Sequence, residues 1–491
     1  MNQYWILVAI LLPILGGISI RFLPFKKEWQ LQLTLESLMI ITSLIVWGLI
    51  LGGPTEVFHV VHFFNDLSIS FKIDGMTMVF AGLVSVLWPL ATLYGFEYME
   101  HHDRQETFFM FYSIAYGVTL GISFASDMLS MYFFYELLTL STVPLVMHTL
   151  KREAILASRK YLYYSLGGAA FALMGMVFLM VYGDSLEFVL GGVLSPEKVA
   201  GYEDMLLWIY LFAFLGFGVK AAIFPVSEWL PTAGVAPTPV TALLHAVAVV
   251  KAGVFAIIRL TYYSFGTEFL RGTWVQNVVM GLAMFTIVYG CSRAVKEAHI
   301  KRRLAYSTVS NLSYIIFGVT IMTPMGLVGA LCHLVCHAVM KICSFMCAGA
   351  FMHQSGKKYV FDMDGIGWKM PIIFSALTLS GMGLMGVPGL AGFISKWNLA
   401  AAAVDSRNPV AYFGVICLLI SALLTAIYMV SIGIRAFFPP WGFDKKANEG
   451  IKDPGWKMCL PIIMCAIATV LLGMFSSPLI AFFSDVAAGI Y

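Results

Sequence analysis

The sequence predicts an all-α polytopic membrane protein of about 14 transmembrane helices. Three observations predict it. First, 60% of the 491 residues are hydrophobic and only 12% are charged, against about 25% charged in a soluble domain. Second, apolar runs of roughly 20 residues, the length that crosses a bilayer, follow one another from end to end. Third, basic residues gather in alternate connections, as the positive-inside rule requires.

Taken in order, the spans cover residues 4–24, 31–51, 74–96, 107–125, 127–149, 160–183, 205–230, 239–264, 274–293, 303–323, 325–354, 370–404, 408–437 and 457–483. The first has no basic residues before it and Lys26 and Lys27 after it, which reads as a retained span with its N-terminus outside. No soluble domain fits between spans; the longest connections are 52–73, 184–204 and 438–456. Connections after odd-numbered spans hold 21 Lys and Arg, among them Lys151, Arg152, Lys301, Lys445 and Lys446; the other face holds four. That bias places the protein in a cytoplasmic membrane with both termini outside. The connection 97–106 departs from it, with one Arg and several acids.

Five cations fall inside spans: Lys220, Lys251, Arg259, Lys341 and Lys396. A central lysine costs about 2.5–3.5 kcal/mol on insertion scales, so such residues usually mark a polar path. Arg259 lies near a span end and is expected to snorkel to the interface. Glu136 is the one acid well inside a span; Asp127 and Glu36 lie near span ends, where hydration is cheap. The histidines His245, His333 and His337 complete the set. His333, His337 and Lys341 recur every fourth residue, and at ~100° per residue they share one helix face. A lone His is usually a packing residue; three ionisable groups on one face of a lipid-embedded helix are not.

Two spans are interrupted beside a lysine. Span 7 meets Pro225 after Lys220, and span 12 meets Pro388 within GLMGVPGLAGFISKW, before Lys396. Proline frees backbone carbonyls that need new partners in lipid. One break reads as a packing kink. Two breaks five spans apart, hence in opposite orientations, read as two inverted five-helix repeats. The expected units are residues 1–103 (spans 1–3), 104–265 (spans 4–8), 266–438 (spans 9–13) and 439–491 (span 14).

The eight cysteines form no CxxC, and CHLVCH (332–337) lacks haem-attachment or zinc spacing, so no metal is expected. No nucleophile–base arrangement, phosphate loop or dinucleotide fingerprint appears; neither a catalytic residue nor a cofactor is expected. A net charge of +3 without a basic cluster gives no reason to expect nucleic acid. What remains is a row of groups that bind and release protons in a dry interior. Histidine passes a proton between its ring nitrogens, and a Glu–Lys pair has a closed and an open state. A solute transporter acting alone and a non-conducting scaffold are the competing readings. The first needs a substrate pocket, and the second leaves the buried charges without a purpose.

FFYELLTLSTVPLV around Glu136, FGVKAAIFPVSEWLPTAGVAPTPVTALLHAVAVVKAG, HLVCHAVMKICSF and VPGLAGFISKW together resemble the proton-translocating antiporter-like family. That family includes Mrp cation/proton antiporter subunits, the antiporter-like subunits of respiratory complex I, and subunits of membrane-bound hydrogenases. The resemblance runs from about residue 74 to 438. It implies that Glu136 pairs with Lys220, that Lys251, His337 and Lys341 continue a hydrophilic axis, and that Lys396 ends it. It also implies partner membrane subunits, with protons, or protons and sodium, as the ions moved. Without a long lateral helix after span 14, the chain looks like a D-, M- or N-type subunit; Lys396 stands where the M-type carries glutamate. The wording YELLTLST-PLV-H favours an Mrp D-like chain.

Overall fold

The computed structural model describes residues 2–490 apart from 24, 26, 65, 66, 101 and 445–447. Lys26, Lys445 and Lys446, counted above among the loop cations, and both terminal residues lie outside the described set.

Helices α1 (Tyr4–Ile20) and α2 (Glu28–Gly52) open the chain. A two-stranded antiparallel hairpin follows, β1 (Phe58–Phe64) and β2 (Leu67–Phe71), pairing Phe58 with Phe71 and Phe64 with Leu67. The all-α expectation missed this hairpin. FHVVHFF is rich in β-branched and aromatic residues, which favour strands, but it was too short to be read as more than a connection. Asp74 then caps α3 (Gly75–Met99), accepting from the Thr77 amide at 2.9 Å. Next come α4 (Gln105–Phe124), α5 (Met128–Val146), α6 (Arg152–Tyr182) and the short α7 (Pro196–Val199).

Span 7 is α8 (Glu203–Lys220) followed by a turn and the short α9 (Trp229–Ala233). Span 8 is α10 (Thr238–Ala246) and α11 (Val249–Ile258), continued by a π-helical stretch, Arg259–Phe265, and the short α12 (Thr267–Leu270). The second half contains α13 (Trp274–Lys296), α14 (Ile300–Thr320) and α15 (Pro324–Ser355). Span 12 divides into α16 (Pro371–Met385) and α17 (Ala391–Asp405). Then α18 (Pro409–Phe437), α19 (Trp456–Met474) and the separate α20 (Ser477–Ala487) close the chain.

Among the described residues, ten helical segments are long and apolar enough to cross a membrane individually. The other four spans are α1, α8, α14 and the α16–α17 pair. Each has a local reason to fall short: α1 has 17 residues, α8 begins with Glu203 and Asp204 and ends on Lys220, α14 opens with three cations, and span 12 is cut in two. The protein is a multi-pass membrane protein, with α15 and the α10–α11 run at its centre. The best apolar window is 94% buried in α15 and wholly buried across Thr238–Phe265, against 33% in α2 and in α18.

Both breaks allow very close packing. A Cβ at Gly253 of α11 would overlap the Ala221 nitrogen just past α8, and one at Gly392 of α17 would overlap the Gly383 carbonyl of α16. No larger residue fits at either place without moving backbone.

Candidate proton-transfer site

The α8 break places Lys220 on the last residue of a helix, where unpaired carbonyls collect. Two carbonyls of this last turn accept from neighbouring side chains as well as from the backbone: Val219 from the Trp229 indole at 2.7 Å, and Phe217 from the Tyr135 hydroxyl at 3.3 Å. The Lys220 ammonium points at α5. It donates to the Tyr135 carbonyl, lies 3.3 Å from the centroid of the Tyr135 ring, and stands 3.9 Å from Glu136 Oε1. That last distance gives attraction without a hydrogen bond. The Lys220 side chain is 1% exposed and that of Glu136 23%, so the pair joins a dry group to a partly accessible one.

Span 8 has a break that the sequence did not announce. Val247 and Ala248 leave helical geometry (φ −127°, ψ −53° and φ −88°, ψ −87°) with no proline or glycine at the site. The break falls between His245 and Lys251, both fully buried. His245 packs its ring 4.7 Å from that of Phe345, and both its nitrogens lack a hydrogen-bond partner. The Lys251 ammonium meets His337 Nδ1 at 2.8 Å.

On α15 the expected stripe forms. His337 and His333 stack with ring centroids 5.7 Å apart, and His333 Nδ1 is 2.8 Å from the Ser395 hydroxyl on α17. Lys341 turns the other way, donating to Ser307 Oγ at 2.7 Å and the Leu304 carbonyl at 3.1 Å on α14; Ser307 continues to the Tyr428 hydroxyl at 2.6 Å. Lys396 follows Ser395 directly. Its ammonium caps α16, donating to the Leu384 and Met385 carbonyls at 2.7 and 3.0 Å, and lies 5.0 Å from the Tyr314 ring centroid.

The structure thus brings Glu136 to Lys220, Lys251 to His337, and His333 to the segment bearing Lys396. It links Lys341 to α14 and leaves His245 without a polar partner. Pro225 and Pro388 lie in the segments that separate α8 from α9 and α16 from α17.

Three expectations are corrected. Arg259 does not snorkel: it is fully buried, and its two terminal nitrogens reach both oxygens of Asp74 at 2.7 and 2.8 Å, a fork geometry that suits a desolvated pair. Asp127 does not rely on hydration at a span end: it is 5% exposed and accepts from Ser70 and from the Ser130 amide and hydroxyl, the latter two both at 2.7 Å. Lys301, counted with the loop cations, is 4% exposed and donates to the Ala236 carbonyl at 2.6 Å. Sequence reasoning also passed over Tyr135, Tyr314, Ser307, Ser395 and Tyr428. The first was adjacent to Glu136 and the fourth to Lys396, which was the only signal available. Among the described residues, no three His, Cys, Asp or Glu side chains come together in a way that could hold a metal ion.

The family described as "NADH:quinone oxidoreductase/Mrp antiporter, TM" matches residues 125–425, and "NADH-Ubiquinone oxidoreductase (complex I), chain 5 N-terminus" matches 62–109. NADH-quinone oxidoreductase subunit N of Desulforudis audaxviator is 28% identical over 98% of both chains. A Na(+)/H(+) antiporter subunit of Bacillus subtilis is 30% identical over 94% of this chain, which spans only 60% of that longer protein. The fold is shared with a chain of the Mrp complex from Dietzia sp. DQ12-45-1b, with TM-score 0.83 and 20% identity over 99% of this chain and 97% of that one. It is shared equally with a chain of the membrane-bound sulfane sulfur reductase, an archaeal respiratory membrane complex, with TM-score 0.85, 21% identity and the same coverage. The first of these matches takes in both broken spans and every ionisable residue of the candidate axis, and the chain belongs to the NADH:quinone oxidoreductase/Mrp antiporter transmembrane family.

Proposed function

We propose that this chain is an antiporter-like subunit that moves protons within a multisubunit membrane complex, along Glu136, Lys220, Lys251, His337, His333, Lys341 and Lys396, with His245 beside the span 8 break. The observation that carries this reading is the Glu136–Lys220 pair, held at 3.9 Å at the end of a broken helix. With the carboxylate close, the ammonium is the favoured form. With the pair opened, an unpaired ammonium in apolar surroundings is costly, and its proton passes on. Lys251 and His337, already in hydrogen-bond contact, are suited to receive it, because imidazole accepts at one nitrogen and releases at the other. One charge crossing 100 mV is worth ~2.3 kcal/mol, which small changes in such a pair can match.

The host complex we favour is an Mrp-type cation/proton antiporter, with this chain in a D-like place, in a cytoplasmic membrane with both termini outside. A second reading, a proton-pumping subunit of a complex I-type or hydrogenase-type assembly, is favoured by the end-to-end match to a subunit N chain. Co-purification separates them: flavin or iron–sulfur partners indicate the redox host, and small membrane proteins alone indicate the antiporter. The division into residues 1–103, 104–265, 266–438 and 439–491, with inverted repeats in the middle two, is part of the same proposal. Proton uptake by vesicles containing the intact complex tests the core of it. Lys220→Ala or Glu136→Ala abolishes uptake if the reading holds; unchanged uptake in both rejects it.

A further inference from the structure

Away from the axis, three lysines line one open cavity of about 210 Å³. Lys151 stands at the start of α6, Lys301 in the first turn of α14, and Lys358 just past the end of α15. The backbone holds the last two segments side by side. Ile300 donates to the Lys358 carbonyl at 3.1 Å, and Val360 to the Ala298 carbonyl at 3.0 Å. His299 and Glu153 complete the ionisable lining, so one carboxylate stands against three ammonium groups. Glu297, two residues before His299, is taken by Arg302 at 3.3 Å. Among the described residues, none of the three lysines has an ion-pair partner.

Lys301 is 4% exposed, and a buried ammonium is costly unless its three donors are used. One goes to the Ala236 carbonyl at 2.6 Å, beside Val235 on the cavity wall. Among the described residues the other two find no acceptor. Two helices also begin at this cavity. The N-cap side chains of α6 and α14, Lys151 and His299, accept no hydrogen bond from their helices. Both positive helix poles therefore add to the excess of positive charge. Like charges gathered in one pocket repel, and an anion between them removes the repulsion. The cavity is smaller than the roughly 300–1,000 Å³ of sites for drug-sized ligands, which suits a compact oxyanion.

We propose that this cavity binds a phosphate group, held by Lys151, Lys301 and Lys358. Phosphate oxygens accept from the unspent Lys301 donors and from the two exposed lysines, in charge-assisted bonds. The bound group ties α6 and the turn before α10 to the start of α14 and the end of α15. The site goes beyond the proton path proposed above: no residue lining it belongs to the axis, and its test does not involve transport. Free phosphate and the headgroup of an anionic lipid carry the same group, and the experiment separates them.

The intact complex, purified in nonionic detergent and phosphate-free buffer, is titrated with labelled inorganic phosphate at constant ionic strength. A second sample is given dioleoylphosphatidylglycerol and read by native mass spectrometry. Lys151→Gln and Lys358→Gln change exposed side chains, and each weakens binding of the effective probe about tenfold, the loss of one charge-assisted bond. Glu153→Gln tightens binding, because the carboxylate that opposes the anion is gone. Lys301→Gln abolishes it; should that variant fail to assemble, the exposed pair still decides. Saturable uptake of labelled phosphate assigns the site to the free ion. Retention of the lipid alone, lost in the Lys151→Gln/Lys358→Gln double variant, assigns it to a headgroup. Equal binding of either probe to the double variant and the unmodified complex overturns the proposal, as does binding of neither probe to the unmodified complex.

Discussion

The two broken spans hold their lysines by different means. Each lysine faces a tyrosine ring from the span two before its own: Lys220 lies over Tyr135 of α5, and Lys396 near Tyr314 of α14. These spans are fifth and tenth, as the broken ones are seventh and twelfth, so the correspondence follows the expected repeat. The next residue is where they part. After Tyr135 comes Glu136, an anion; after Tyr314 comes Ile315, fully buried and apolar. Lys396 takes instead the free carbonyls at the end of α16, the negative pole of a helix dipole. A carboxylate can gain or lose its charge, and a helix end cannot. The first lysine thus has a partner whose charge can change, and the second has partners whose polarity is fixed.

The largest effect expected from this difference is on transport. Glu136→Gln leaves the buried Lys220 without a switchable partner and lowers proton uptake tenfold or more, about 1.4 kcal/mol or above in rate terms, while the complex still assembles on a gel. Equal retention of transport in this variant and in the unmodified protein breaks the comparison. Lys396→Met acts mainly on stability. It removes donors from two carbonyls, each worth about 1–3 kcal/mol when left buried and unpaired, and lowers the detergent melting temperature with a smaller loss of uptake. Lys396→Arg recovers most of the melting temperature, because a donor to the helix end is restored.

A double-mutant cycle sharpens the contrast. Ile315→Glu places a carboxyl group where the first half has one. It destabilises less with Lys396 present than with Lys396→Met, by about 1 kcal/mol, if the two positions correspond as the tyrosines imply; a coupling of zero denies the correspondence. The smallest lever is at the rim of the second half. Burial and the neighbouring Lys301 cation hold the His299 imidazole below its ordinary pKa, with Glu297 opposing. The unfolded chain then binds that proton more readily than the folded one. Stability is whole above about pH 6.5 and declines as pH falls below it. His299→Gln removes a part of that decline, about 1 °C between roughly pH 7.5 and 5.5 in melting scans.

Particular residues show what could be read early. The breaks at spans 7 and 12 were visible because Pro225 and Pro388 remove backbone donors wherever they stand. The His333, His337 and Lys341 stripe was visible because helical periodicity alone puts the three on one face. The span 8 break was not visible: HAVAVVKAG contains nothing at Val247 or Ala248 that stops a helix, and the two pieces go to different neighbours, α10 packing on α15 and α11 on α8. Arg259 was misread because its partner Asp74 is 185 residues away, and a cation near a span end looks the same with or without one. Lys301 was misread for the same reason, its carbonyl partner being supplied by the turn before α10.

The sequence by itself determined the membrane-spanning class, the succession of spans and the set of charged groups inside them, because the cost of placing a charge or a proline in lipid is a local property of the residue. Only the tertiary structure decided which groups meet. A carboxylate, an imidazole or a helix end becomes a lysine's partner through the approach of two helices to within a few ångströms, and that approach depends on every side chain packed between them.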